Sequence, residues 1–335
     1  MLARLFVLLP FSVTVPEGEK FTVYGYPDSG YIVHVFPPSK SDKPELDEIG
    51  EIRLDGILAF QANALRIDFH KESFNRAKDS ECDPPEDVIR RALNSFLIRL
   101  RYVTKAFQVR LLDYPQVTWR LQYLNDDETE LAGDEKLIRA RAALRFSLSW
   151  IALNKQIWQS IHELPPNYEP PPWEDLLLDA KSCLPVGGPA HIGPAIVLAA
   201  TALEAFISRI LDDLAALRPV PTELWTWINQ RHDYRCEPAV EEQYDVLLKF
   251  FTGHSLKTEA KLWQSFMNLK AARNKFVHEG VAKVGGIPVS LEVAGTLVDA
   301  ASETILKVRE WIPQELHWPV FKHVVQVEAS TKRLM

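Results

Sequence analysis

The chain has 335 residues, 47% of them hydrophobic and 25% charged, with a formal net charge of −7 and three cysteines. That length supports roughly two domains of ordinary size, each with its own core, and so apolar a composition excludes a disordered or low-complexity chain. The mild acidity argues against a globally basic nucleic-acid binder and leaves room for a local basic face. Cys82, Cys183 and Cys236 are far apart and in no C-x-x-C arrangement. Neither a disulfide framework nor a zinc site is indicated, and a reduced cytoplasm is the expected location.

In chain order, Met1 to Val15 places one Arg before an apolar run, which superficially suggests a secretory signal. Pro10 interrupts the run and no small-x-small cleavage site follows it, so a buried first strand is expected instead. No other segment approaches the ~20 apolar residues needed to span a bilayer, and no membrane association is expected. Phe21 to Tyr26 and Tyr31 to Phe36 flank the turn-forming Pro27-Asp28-Ser29-Gly30, which predicts a hairpin. Further strands are predicted near Glu51 to Leu54, Gly56 to Phe60 and Leu65 to Phe69. A helix over about Glu86 to Lys105 follows, with Val88, Ile89, Ala92, Leu93, Phe96, Leu97 and Leu100 at helical spacing to cover the sheet.

Alternation then predicts strands through Phe107, Val109 and Leu111, through Val117, Trp119, Leu121 and Tyr123, and over Leu137 to Ile151. If these strands are neighbours, Arg110, Arg120, Arg139, Arg141 and Arg145 share one solvent face. Guanidinium forks match phosphate oxygens, so that face suits RNA or another phosphate ligand. The alternative is that the nearby acids Asp126-Asp127-Glu128 and Asp134-Glu135 neutralise it, or that it packs against the second half. Five prolines between Pro165 and Pro172 then stop both helix and sheet. They divide the chain into a β-rich domain over residues 1–164, a linker over 165–172, and an α-helical domain over 173–335.

The second half is predicted all-α. Helices are expected over Trp173 to Cys183, Pro194 to Leu217, Thr222 to Gln230, Pro238 to Thr252, Lys257 to His278 and Leu291 to Ile312, packed as an up-and-down bundle, with Gly280 as a left-handed cap. Gly187-Gly188-Pro189 lacks the G-K-[S/T] of a phosphate loop and reads as a helix-start turn. The tail after Pro319 is ambiguous between strand and loop. The fold class is therefore α+β in two domains.

Two charges break the apolar pattern. Arg273 falls in the arc of Leu262, Phe266, Leu269, Phe276 and Val277, and Glu204 lies in the stripe of Val197, Ala200, Leu203, Ile207, Leu211 and Leu214. Buried charges need partners, so Glu204 is expected to pair with Arg273, either as a register lock or as part of a site. Asn274 and His278, four apart, stack on one helix face, where the amide can hold the imidazole. Arg273 and His278 lie about 140° apart around the helix, so a composite site needs an unwound last turn or a second copy across a two-fold axis. The alternative for His278 is a surface histidine near a helix C-terminus.

The stretch Leu262 to Gly280, with Arg273-Asn274-Lys275-Phe276-Val277-His278, resembles the R-x-x-x-x-H signature of HEPN-domain proteins, in which Asn often follows the Arg. Trp173 to Asp179 and Ala195 to Leu214 are similar to the early helices of that domain, so the resemblance covers about Trp173 to Glu315. It implies a dimeric helical bundle, frequently a metal-independent RNA endonuclease of toxin–antitoxin, abortive-infection or antiviral defence systems. On that basis His278 assists proton transfer as a ribose 2′-hydroxyl attacks the adjacent phosphate, and Arg273 stabilises the developing charge. Asn274 orients the histidine or contacts the backbone, and Glu204 holds Arg273. No cofactor or metal is expected, the partners being RNA, a second copy and an unidentified trigger or antitoxin. Many toxin members carry Tyr two residues after the His, where this chain has Gly280, and some members are non-catalytic interaction modules. The first half resembles no family; a trigger sensor or an RNA-guiding surface suits it.

Overall fold

A computed structural model of the chain describes residues 2–28, 30–40, 49–70, 84, 86–112, 118–124, 130–138, 151–165, 167–184, 190–218, 220–229, 238–323 and 325–331. It is a mixed α/β protein, with an N-terminal sheet and a C-terminal helical region. The chain divides into a first unit of Met1–Glu169 with Val320–Met335, and a second of Pro170–Pro319. The division at Glu169 falls inside the proline run, whose last member opens a helix; proline is well suited to that position because its missing N–H has no intrahelical partner there.

The first unit is organised around β1 (Leu2–Pro16), whose period-two pattern sorts its side chains. Ala3, Leu5, Val7, Leu9, Phe11 and Val13 are buried, while Arg4, Phe6, Leu8, Pro10 and Ser12 are only half-buried on the opposite face. β2 (Tyr24–Asp28) and β3 (Tyr31–Val35) form the expected antiparallel hairpin. After β4 (Ile49–Leu54), β5 (Ile57–His70) runs antiparallel to β1 and is shared on its other edge by β4 at Ile57–Ala59 and by β3 at Ile67–His70. The two strands expected over Gly56 to Phe60 and Leu65 to Phe69 are thus one. The intervening Gln61-Ala62-Asn63-Ala64 is weak in β propensity but is held by pairing with β1 and by the isolated bridge of Ser39 to Ala64. Pro10 lies where the β1–β5 register shifts, between Leu8 and Val13, so its missing N–H costs no ladder bond.

Helix α1 (Glu86–Thr104) covers the inner face, and its Val88, Ile89, Ala92, Leu93, Phe96, Leu97 and Leu100 join the core of β1 and β5. No strand follows over Phe107 to Leu112. Lys105 takes a left-handed φ of 54°, Val109 N–H donates to the Ala106 carbonyl, and the Asn94 amide clasps the Leu112 backbone at 2.9 and 3.1 Å. The segment's hydrogen bonds go to its own turn and to α1, and Val109 and Leu111, which would share one side of a strand, are 0% and 54% exposed. β6 (Thr118–Leu124) pairs with β1 and with β7 (Glu130–Ile138). Residues 139–150 of the expected strand over Leu137 to Ile151 lie outside the described residues, as do Asp126, Asp127 and Glu128; Ile151 opens β8 (Ile151–Ala152), parallel to β1. Helix α2 (Lys155–Glu163), which periodicity over so short a span did not announce, adds Ile157, Trp158 and Ile161 to the core.

The second unit contains α3 (Pro172–Ser182), α4 (Ile192–Leu217), α5 (Thr222–Asn229), and a helix α6 (Val240–Glu242) that continues through a π-helical turn, Gln243–Leu247, into α7 (Leu248–Thr252). Then come α8 (Ala260–Glu279), a small hairpin of β9 (Lys283–Val284) and β10 (Ile287–Pro288), and α9 (Leu291–Trp311). Helix α4 packs against α3, α8 and α9, burying Ala195, Ile196, Ala199, Leu203, Phe206, Ile207, Ile210 and Leu214 among others. It reaches the length and apolarity of a bilayer span, contrary to the sequence expectation, but 56% of its most apolar window is buried within the protein. Gly187-Gly188-Pro189, Cys82 and Cys236 lie outside the described residues, and Cys183 is in no disulfide with a described residue. The tail returns to the first unit, where β11 (Val327–Thr331) pairs antiparallel with β4, so the helical unit ends at Pro319.

His162 makes the first unit acid-sensitive. Its ring stacks on Tyr24 at 4.3 Å and meets Trp158 at 4.4 Å, and neither ring nitrogen has a partner. Burial, and then the nearby Arg99 cation, push its pKa down to about 3. The unfolded chain takes that proton below about pH 6.5, so between there and pH 3 it binds more protons than the folded state. Stability therefore falls as pH falls through this window, by up to about 1.4 kcal/mol per unit from this one group. Urea unfolding at pH 6.5 and 4.5 should show a larger loss for the wild type than for His162→Phe; equal losses would refute the assignment. A second test concerns Gly193, where an added Cβ would lie 2.0 Å from the Phe276 ring. Gly193→Ala should cost about 1–3 kcal/mol in denaturant unfolding, partly restored by Phe276→Leu.

Candidate catalytic site

Helix α8 ends where its sequence ends it: Gly280 adopts φ 75° and returns its N–H to the Phe276 carbonyl at 2.8 Å. Arg273 and Asn274, in the penultimate turns, are half-buried, and His278, in the last, is exposed. Arg273 Nη1 donates to Asn274 Oδ1 at 3.2 Å, while its Nε is sealed from solvent without a hydrogen-bond partner. The Asn274 amide thus engages the arginine and not the histidine, and His278 makes no hydrogen bond among the described residues.

Glu204 and Arg273 line one cavity of ≈ 20 Å³, together with Phe266 and Lys270, which is room for about one water. They are not in ion-pair contact. The expected pair is therefore corrected to a pair of opposite charges facing a common small cavity. The arginine is turned along its own helix to Asn274, and further charges and dipoles bond to the cavity's lining residues Leu203 and Lys270. Tyr244, fully buried in the π-helical turn, donates its hydroxyl to the Leu203 carbonyl at 2.9 Å, and its pKa is raised well above the ordinary range by burial and by the Glu204 carboxylate. Lys270 pairs with Glu241, a hydrogen bond that holds the Glu241 carboxyl below its usual range. Glu279, beside His278, is likewise held low by Lys275 and Lys283.

Tyr244, Lys270 and Glu241 were not singled out from the sequence. Lys270 was findable, because it lies three residues before Arg273 and so on the same helical face. Tyr244 was not: the π-helical turn that rotates it inward has no pattern at period 3.6. Val277, expected in the core stripe, is 55% exposed. Val281, Ile287, Leu291 and Val293 are also exposed, so the chain from the end of α8 through the β9–β10 hairpin to the start of α9 carries five exposed apolar side chains.

The expected arginine face is only partly assembled. Arg120 lies on β6 with its guanidinium 4.7 Å from the Phe6 ring centre, but Arg110 sits in the irregular segment after α1, and Arg139, Arg141 and Arg145 lie outside the described residues. The outward face instead gains Arg4 and Arg66, both forked onto Asp68, which is 1% exposed and accepts from them at 2.6 to 3.1 Å. Arg66 also covers the Phe36 ring at 3.8 Å. The strand register explains the grouping, because Arg4 and Asp68 are directly paired across β1 and β5. Among the described residues no three His, Cys, Asp or Glu side chains form a metal-binding group.

Comparison with known proteins finds no matching family model, no matching curated protein and no matching solved structure.

Arg273→Met separates a structural from a functional role. Breaking a buried ion pair costs about 3–5 kcal/mol, whereas an arginine bonded only to a neighbouring amide has little to lose. Denaturant unfolding should show a loss of at most about 1 kcal/mol. A loss of 3 kcal/mol or more would mean that Arg273 is a structural cation.

Proposed function

We propose that the second unit is an HEPN-type helical bundle and that the protein is a metal-independent RNA endonuclease of the antiviral-defence or toxin–antitoxin kind, active as a homodimer. The supporting observation is Arg273: a half-buried cation without a carboxylate partner among the described residues, five positions before an exposed histidine at the glycine-capped end of the same helix. A fold that needed this charge only for stability would neutralise it, as it neutralises Lys270 with Glu241.

His278 takes the proton from a ribose 2′-hydroxyl as that oxygen attacks the adjacent phosphorus. The phosphorus–O5′ bond breaks and the leaving O5′ takes a proton from an imidazolium or from water, leaving a 2′,3′-cyclic phosphate and a 5′-hydroxyl end. Arg273 donates to the phosphate oxygens as negative charge builds on them, and Asn274 holds the guanidinium at its Nη1 edge. Glu204 contributes the opposing charge that keeps the guanidinium at the cavity. Because Arg273 and His278 project about 140° apart, the reacting set is composite, with two copies joined through the exposed apolar stretch from Val277 to Val293. Arg120, with Phe6 beneath it, supports a guiding role for the first unit's outward face toward RNA.

A second reading, a non-catalytic HEPN interaction module, is favoured by His278 having no hydrogen-bond partner among the described residues and by Gly280 in place of tyrosine. Incubating RNA with the purified protein in EDTA distinguishes the two. The endonuclease should yield cyclic-phosphate ends, with His278→Ala and Arg273→Ala each slower by about 100-fold or more. Inactivity of the wild type on varied RNAs, with equal binding of RNA by all three proteins, would favour the module. Ile287→Glu should reduce both the dimer, in sedimentation, and the cleavage rate.

A further inference from the structure

The first unit holds an open pocket of ≈ 580 Å³ whose walls come from the end of β1, the turn after it, the segment after β3 and β5. That volume is in the range of small-molecule sites. Its apolar walls are Pro16, Phe21, Pro37, Pro38 and Phe60, and its charged groups are Glu17, Glu19 and Lys40. Two carboxylates against one ammonium leave the lining net negative.

The three charges are not alike. Glu17 and Lys40 are exposed, while Glu19 is half-buried, and its Oε2 is shut off from solvent without a hydrogen-bond donor. Unlike Asp68, which receives two guanidinium forks, Glu19 has no ion-pair partner among the described residues. Lys40 is within the same pocket but its ammonium lies over the Phe60 ring, 5.1 Å from the centre. The Phe60 face is thus already used as a cation platform, and the cation on it is a flexible, exposed side chain that a better-fitting one can displace.

We propose that this pocket binds an organic cation, an ammonium or guanidinium carried on an apolar body. The positive end takes the place of Lys40 on Phe60 and offsets the Glu19 carboxylate, and the body lies against Phe21 and the three prolines. The site is independent of the nuclease reading, since its residues all belong to the first unit and its test measures binding alone.

The full-length protein is titrated by calorimetry with phenethylamine, with its neutral counterpart 2-phenylethanol, with arginine methyl ester, and with a lysine-containing tripeptide. The amines should bind at least tenfold more tightly than the alcohol. Tight binding of the tripeptide beside weak binding of the free amines would assign the cation to a protein side chain, and the reverse would assign it to a metabolite; both support the site. Glu19→Gln, isosteric and without a hydrogen bond to break, should keep the thermal midpoint and weaken the amines about tenfold. Lys40→Met should tighten them several-fold, because an internal competitor is removed; a merely structural lysine would not do this. Equal binding of amine and alcohol, no binding of either, or amine affinities unmoved by Glu19→Gln and Lys40→Met in folded protein would overturn the proposal.

Discussion

Phe276 occupies the space in which any side chain at position 193 would have to lie, and on that contact the geometry of the helical unit depends. It sets how closely α8 approaches the N-terminal part of α4, and α4 is the helix against which α3, α8 and α9 all pack. Because cores are close-packed, the approach distance of two helices is fixed by the side chains between them. Once Phe276 is seated, Arg273, three residues earlier, is carried to the α4 side of its helix, and Glu204, eleven residues after Gly193 and so about three turns along, meets it at one cavity. The charged residues do not bring these helices together. An apolar ring against a bare glycine does, and the charges are delivered by it.

How each unit treats its enclosed charges separates structural groups from chemical ones. Asp68 sits under two guanidinium forks on adjacent strands, a fully satisfied network that ties β1 to β5. Lys270 and Glu241 are likewise matched. Arg99 is 1% exposed, with Ser95 O and the Tyr26 ring as its company, so the aromatic face stands in for a carboxylate and burial lowers its pKa. Arg99 Nη2, like Arg273 Nε and Glu19 Oε2, is buried without a hydrogen-bond partner; what sets Arg273 and Glu19 apart from Arg99 is that each lines a cavity.

Legibility followed the length of each pattern. Helix α1 spans five turns, and its stripe was readable to within a residue; the hairpin at Pro27-Asp28-Ser29-Gly30 was readable because turn chemistry is local. Val109 and Leu111 show the limit. Alternation over five residues is matched by chance, and here one side chain of Asn94 outbid a strand partner. The tail after Pro319 read as either strand or loop, and nothing local says that Val327 pairs with Leu54 of β4, some 270 residues earlier, or that Gln326 bonds Asp55. Of the site, Arg273 and Glu204 were legible as charges on apolar stripes. Their exact relation was not, because a cavity of one water and the rotamer that turns Arg273 to Asn274 are set by packing in three dimensions.

The same reasoning limits what net charge can say. The value of −7 sums exposed acids with groups such as Asp68 that the fold has already neutralised. A ligand responds only to charge that remains uncompensated where it binds, and two cavity-lining groups among the described residues have opposite signs: the Arg273 guanidinium on α8 and the Glu19 carboxylate in the Phe60 pocket. One suits a phosphate and the other an amine. A protein with its charge so divided need not show the basic surface of a dedicated nucleic-acid binder, so its mild acidity does not count against the proposed phosphate chemistry at Arg273.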